Sequence, residues 1–135
     1  DVARFLYGAV IAAIVSYLLF DWHEVSRLRP PADDCSFREF LTKKAAIHEI
    51  RVFRWRGEQY LEVIGPIRGG IPVRGSPSYV FNRSGRLVAW TQDKWSLGRS
   101  YPGEEHESDV RYLDGLAEAL AWFEAEAAAG DAPGP

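Results

Sequence analysis

The sequence has a single cysteine, Cys35, and no methionine in 135 residues. A lone cysteine excludes an internal disulfide framework and a cysteine-rich zinc site. The phosphate-binding patterns G-x-x-x-x-G-K-[ST] and G-x-G-x-x-G and the serine elbow G-x-S-x-G are also missing. Neither sign of charge dominates, because 16 Lys and Arg stand against 19 Asp and Glu. We therefore expect a folded, non-enzymatic protein that needs no cofactor.

Charge is missing altogether from one long stretch, FLYGAVIAAIVSYLLF at positions 5–20. A helix from Val2 to Phe20 would be roughly 28 Å long, close to the roughly 30 Å thickness of a bilayer's hydrocarbon core. Tyr17 and Trp22 suit an interfacial aromatic belt, and Arg4 can extend towards the opposite interface. The sequence therefore predicts a transmembrane anchor over residues 1–22, with residues 2–22 contacting the lipid bilayer.

Two other structures could use the same apolar stretch. One is a buried helix of a soluble core, and the other is a cleaved secretory signal. No A-x-A-like cleavage site follows Phe20, which favours an uncleaved, single-pass anchor.

The side of the membrane on which the domain lies depends on basic residues at the two ends of the anchor. Arg27 and Arg29 follow it and only Arg4 precedes it, a distribution that favours a cytoplasmic domain. Because even an initiator methionine is absent, we expect further residues before Asp1, so this comparison is incomplete. A single N-terminal anchor is a common means of exporting a small domain, and we lean towards the extracytoplasmic side.

Beyond the anchor we expect a juxtamembrane linker over 23–35, an α+β domain over 36–129 and a flexible tail over 130–135. The pair Pro30-Pro31 supports the linker because it cannot continue a helix. Ser36 and Glu39 have the spacing of a capping box, which predicts a short helix over about 37–46.

The middle of the domain has the pattern of two β-hairpins. One is IHEIRVFRWR and EQYLEVIG around Gly57, and the other is SYVF and RLVAWTQ around the turn NRSG. Leu61 and Val63 should share one sheet face, with Tyr60 and Glu62 on the other. The first strand alternates poorly, which indicates a bulge or a strand covered on both faces. The predicted sheet therefore has four antiparallel strands.

A C-terminal amphipathic helix completes the predicted α+β fold. Ser108 can cap it, and apolar residues then recur every three or four positions in a stripe suited to packing on one sheet face. The stripe comprises Val110, Leu113, Leu116, Ala117, Leu120 and Phe123.

Basic and acidic residues are divided between the two halves of the domain. Residues 37–86 carry a net +6 and residues 87–135 a net −7, so the two halves can neutralise one another by packing. Alternatively, a basic surface meets anionic lipid, an acidic partner or nucleic acid. The candidate binding residues are Arg51, Arg54, Trp55 and Arg56 in the first hairpin, with Trp95 and Tyr101 in a later loop. We expect no nucleic-acid binding, because the pI is about 5.6 and the chain carries an anchor.

The only candidate metal ligands lie together in the segment EEHESD: Glu104, Glu105, His106 and Glu107. Carboxylates beside an imidazole can bind a divalent cation, but a solvated acidic loop at a helix start has the same composition. Cys35 follows two aspartates, whose charge raises a thiol pKa and disfavours a nucleophilic role.

The expected function is a membrane-anchored, non-enzymatic module that binds a protein partner or serves as an accessory subunit. One alternative is a membrane-tethered lipid or glycan binder. The other is a metal-assisted hydrolase that uses the acidic segment around His106.

Overall fold

The protein combines a long N-terminal helix, a five-stranded antiparallel sheet and a C-terminal helix. The computed structural model describes residues 1–43, 47–67, 75–94 and 107–131, without the side chains of residues 24, 25 and 126–131. This architecture confirms the mixed α+β class, with one more strand than predicted. The elements are α1 (Val2–Leu28), α2 (Phe37–Leu41), β1 (Glu49–Trp55), β2 (Glu58–Ile64), β3 (Ser78–Asn82), β4 (Leu87–Thr91), β5 (Glu107–Leu113) and α3 (Leu116–Asp131).

Helix α1 is long and apolar enough to cross a membrane. None of its most apolar 18-residue window is buried against the rest of the chain, which disfavours the buried-helix alternative. The helix continues to Leu28, six residues beyond the predicted end of the anchor, and therefore takes up part of the predicted linker. It stops just before Pro30, because a proline disfavours helical backbone in the residue that precedes it.

Helix α2 begins at the predicted capping box. The backbone N–H of Glu39 donates to Ser36 Oγ at 3.1 Å, and the Ser36 hydroxyl donates to Glu39 Oε1 at 3.2 Å. The helix ends at Leu41, so it is shorter than the predicted segment, whose last three residues lie outside the described ranges. Its buried side chains Phe37 and Phe40 pack this short helix against the sheet.

The β1–β2 hairpin is present as predicted. Its turn residues Arg56 and Gly57 have φ angles of 50° and 81°, the left-handed pair that matches the twist of a two-residue hairpin. Strand β1 is irregular for both of the predicted reasons. It is buried without alternation from Ile50 to Phe53, and its register with β5 shifts between Val52 and Arg54.

The sheet, in the order β4-β3-β2-β1-β5, has two different faces. Helices α2 and α3 cover the face that bears Leu61 and Val63, which we call the helical face. The opposite face bears Tyr60 and a set of buried ionised side chains, and we call it the ion-pair face. Strand alternation thus separates the two sides as predicted. The core of the helical face contains Cys35, Phe37, Phe40, Ile50, Val52, Leu61, Val63, Tyr79, Phe81, Leu87 and Ala119.

Strand β5 overturns the prediction of a helix that starts at Ser108. Residues 107–113 pair antiparallel with β1, and α3 starts only at Leu116. Strand β5 and helix α3 are separated at Gly115, whose φ of 126° suits only glycine. Asp114 N–H then donates to Glu118 Oε2 at 2.8 Å, which satisfies a free donor at the true helix start. Pairing with β1 gives residues 107–113 a hydrogen-bonded strand neighbour, so a tertiary contact overrides the local helix signal.

Candidate functional site

The tip of the β1–β2 hairpin presents an aromatic and basic surface. The Arg56 guanidinium carbon lies 4.3 Å from the centre of the half-buried Trp55 ring, a cation–π contact. Trp55 is itself held edge-on to Tyr60, with ring centres 6.4 Å apart. The exposed Arg56 side chain is therefore stacked on an indole that the domain holds in place.

Arg54 is exposed beside this tip on the other face of the sheet. Its Nε atom lies 3.4 Å from Asp109 Oδ2, and the two side chains are 46% and 77% exposed. An ion pair so accessible to water contributes little to stability, because solvent screens it and both side chains lose freedom. Arg54 can therefore exchange Asp109 for another carboxylate at little cost.

Arg51, the third basic residue of the predicted surface, lies inside the protein. It is only 4% exposed and points to the ion-pair face, whereas Arg54 points to the helical face. Side chains three positions apart on a strand lie on opposite faces, so Arg51 and Arg54 do not form one surface. Of the predicted hairpin set, the structure brings Trp55 and Arg56 into contact at the turn, with Arg54 next to them on the opposite face, and we call these three residues the hairpin tip.

Glu62 is the centre of a buried ion cluster on the ion-pair face. Its side chain is fully buried and accepts hydrogen bonds from Arg51 Nε at 2.5 Å and Lys94 Nζ at 3.0 Å. The hydroxyl of Ser78 donates to its second carboxylate oxygen. One carboxylate thus links strands β1, β2 and β3 to the segment that follows β4.

Arg51 extends the cluster to strand β5. Its two terminal nitrogens donate to the Glu107 carboxylate at 2.6 and 2.8 Å, a bidentate pair. Burial alone lowers the Arg51 pKa, but the hydrogen bonds and negative charges of Glu107 and Glu62 outweigh it and raise the pKa. With Lys94, the cluster contains two cations and two anions, so its buried charges balance.

One ion pair of this cluster, Arg51 with Glu62, could be predicted from the sequence. Arg51 and Glu62 are direct cross-strand partners in the hairpin register, so opposite charges on facing positions predict the pair. Lys94 and Glu107 lie in segments far along the chain, and no local pattern connects them to β2. The cluster joins elements of the fold and uses its charged groups on one another, which makes it a structural feature rather than a reaction centre.

The predicted cation site is represented in the structure by Glu107 alone. Its carboxylate is committed to Arg51, while Glu104, Glu105 and His106 lie outside the described residues. Trp95 and Tyr101, the second candidate surface, also lie outside them. Within residues 1–43, 47–67, 75–94 and 107–131, no three potential metal-ligating side chains come together.

Cys35 is buried in the core of the helical face, with 1% of its surface exposed. Burial is the largest cause that raises its pKa, and the nearby charges of Glu39 and Asp34 raise it further. From the sequence we attributed a raised thiol pKa to the neighbouring aspartates, whereas desolvation by burial is the larger cause. The thiol is therefore neutral and shielded at physiological pH.

No protein-family model matches the chain, and neither curated proteins nor solved structures yield a significant match. A function for this fold must therefore be argued from its own surfaces.

Proposed function

We propose that the protein is a single-pass membrane protein whose α+β domain is a non-enzymatic module, and that the hairpin tip binds an acidic surface of a partner protein. The observation that carries this proposal is the Arg56 guanidinium stacked on Trp55 at an exposed turn. Tryptophan and arginine are enriched among residues that dominate the energy of protein interfaces.

The geometry of the tip supports binding because it reduces the entropy lost when a partner docks. The indole is half-buried and the turn backbone is held by two strands, so Arg56 is partly ordered before any contact forms. Such pre-organisation strengthens binding without new contacts. The exposed guanidinium groups of Arg56 and Arg54 favour a partner that presents carboxylates.

The test compares partner capture by the native chain and by tip variants, each purified from membranes in detergent. We expect Trp55→Ala and Arg56→Gln to weaken binding of the specific partner by roughly 30-fold or more, as for other hot-spot residues. Arg86→Gln is the control, since it removes an equally exposed positive charge from the β3–β4 turn. Equal capture by tip variants and control would exclude the tip as the binding surface.

The lipid or glycan alternative is tested with the same variants. If this alternative holds, the full chain should bind glycan arrays, or its α+β domain should bind vesicles, and this binding should be lost in the Trp55 and Arg56 variants. Capture of a protein partner should then not depend on these residues. The hydrolase alternative needs a divalent cation, so calorimetry that shows no binding of Mg²⁺, Ca²⁺, Mn²⁺ or Zn²⁺ would remove it.

The anchoring part of the proposal is that α1 stays uncleaved, spans the bilayer with residues 2–22 and places the domain on the extracytoplasmic side. The unbroken continuation of α1 to Leu28 supports an uncleaved helix. A mature chain that begins after Phe20 in mass spectrometry would show a signal sequence instead.

The side of the membrane can be tested with Ser84→Cys, which introduces an exposed thiol, and a membrane-impermeant maleimide. Labelling of intact cells would support an extracytoplasmic domain, and labelling only after lysis would place it in the cytoplasm. The unmodified chain is the control, because its own Cys35 is buried.

A further inference from the structure

The end of helix α1 is attached to the α+β domain by side-chain contacts. The carbonyl of Ser26 accepts a hydrogen bond from Lys43 Nζ at 3.2 Å, and the carbonyl of Leu28 accepts one from the Tyr79 hydroxyl. Tyr79 is a core residue that is 1% exposed, and Pro30, directly after the helix, is buried as well. These contacts hold the last turn of α1 against the domain, so the predicted linker does not act as a loose tether.

This attachment determines how far the domain lies from the bilayer that α1 is proposed to span. If the hydrocarbon core ends near Trp22, Ser26 and Leu28 lie about 6 and 9 Å further along the helix. The headgroup layer on each side of a bilayer is roughly 5–7 Å thick. The contacts with Lys43 and Tyr79 therefore form at the outer surface of the headgroups, and the domain sits directly on the membrane.

Two basic side chains lie at this end of α1. Arg29 is exposed just after the helix, and Lys43 is half-buried against its end. Burial is the main cause that lowers the Lys43 pKa, and the positive charge of Arg29 lowers it further. Among the described residues, no carboxylate forms an ion pair with either side chain. The two like charges therefore repel one another.

We propose that Arg29 and Lys43 together bind the phosphate of an anionic phospholipid headgroup and so seat the domain on the bilayer surface. A phosphate between the two cations would neutralise their repulsion. Lys43 uses one of its three N–H donors on Ser26, which leaves two for phosphate oxygens, and a guanidinium can bind phosphate with two parallel hydrogen bonds. This inference rests on the proposed membrane anchoring and is separate from the hairpin tip.

The test uses the full chain reconstituted in nanodiscs that contain phosphatidylcholine and phosphatidylglycerol. Native mass spectrometry then measures which lipid the protein retains. We expect the native chain to retain phosphatidylglycerol preferentially. Each of Arg29→Gln and Lys43→Gln should reduce that preference about fivefold, since one basic residue near an anionic surface contributes about 1 kcal/mol. Lys43→Arg keeps the charge and should keep most of the preference.

The matched control is the pair Arg38→Gln and Arg86→Gln, which removes two exposed positive charges next to the β3–β4 turn. Equal loss of preference in this control and in the Arg29 and Lys43 variants would overturn the site and indicate a general charge effect. A chain that integrates but retains both lipids equally would overturn the inference and leave the anchor intact. A chain that fails to enter the nanodiscs would instead overturn the anchor itself. Displacement of the retained lipid by inorganic phosphate would show a site for soluble anions and would also overturn the proposal.

Discussion

Replacing Glu62 by glutamine should greatly destabilise the domain. Glutamine has nearly the same size and shape, so the substitution removes a negative charge without creating a cavity. In the native cluster Glu62 and Glu107 balance Arg51 and Lys94, and in the variant a net positive charge remains in the interior. The side chains of Arg51 and Lys94 are only 5% and 4% exposed, so water cannot take the place of the lost carboxylate.

The expected cost follows from this burial. Removing one member of a buried, hydrogen-bonded ion pair typically costs about 3–5 kcal/mol, because the other member stays desolvated. Glu62 has two cationic partners and a hydroxyl donor, which places the expected cost within that range rather than below it. Since a domain's total stability is about 5–15 kcal/mol, the variant should lose a large share of it.

Urea unfolding of the full chain in detergent, followed by tryptophan fluorescence, measures this effect. With a denaturant slope of about 1–3 kcal/mol per molar urea, a cost of about 3–5 kcal/mol should lower the midpoint by about 1–5 M. Asp109→Asn is the matched control: it also converts a carboxylate to an amide but in an exposed pair, and asparagine tolerates the φ of 52° at this position. Its cost should stay below about 1 kcal/mol.

A cost for Glu62→Gln no larger than that for Asp109→Asn would contradict this account of the cluster. That result would mean that water reaches the cluster or that the amide replaces all of the carboxylate's interactions. If Glu62→Gln does not fold at all, Ser78→Ala provides a milder test. It removes one hydrogen bond to the same carboxylate and should cost about 1.5–3 kcal/mol.

Two further predictions concern the core and the attachment of α1. Because burial raises the pKa of Cys35, the native thiol stays protonated above the pH at which an exposed thiol ionises. Iodoacetamide should therefore modify it only after unfolding, and fast labelling of the native chain at pH 8 would contradict its burial. Tyr79→Phe removes the hydroxyl that binds the Leu28 carbonyl and should cost about 0.5–1.5 kcal/mol. Amide hydrogen exchange in the last turn of α1 should then rise, and an unchanged exchange rate there would show that the contact does not hold the helix.

Features that depend on neighbouring residues were predictable from the sequence. The capping box of Ser36 and Glu39 and the hairpin turn at Gly57 each involve positions within three residues of one another, so local chemistry is sufficient. The face of the sheet on which Leu61 lies follows in the same way from strand alternation. The basic surface was predicted only in part, because the same alternation, applied to β1, would have separated Arg51 from Arg54.

Strand β5 shows why local patterns were insufficient elsewhere. Ser108 followed by regularly spaced apolar residues is a legitimate helix signal, yet residues 107–113 pair with a strand more than fifty positions earlier. Pairing over that separation depends on which edge of the sheet is free, and this is known only once the other strands are assembled. The same applies to the link between Lys94 and Glu62, two residues that share no local motif.

By itself, the sequence determined that the chain begins with a helix long and apolar enough to cross a membrane, because length and apolarity are sums along one segment. It also determined a mixed α+β domain with a hairpin at its centre. Only the tertiary structure decided that Arg51 is buried with Glu62 and Glu107 while Arg56 remains exposed on Trp55. It alone also placed Lys43 and Tyr79 against the end of α1, because desolvation and long-range pairing depend on how distant segments meet.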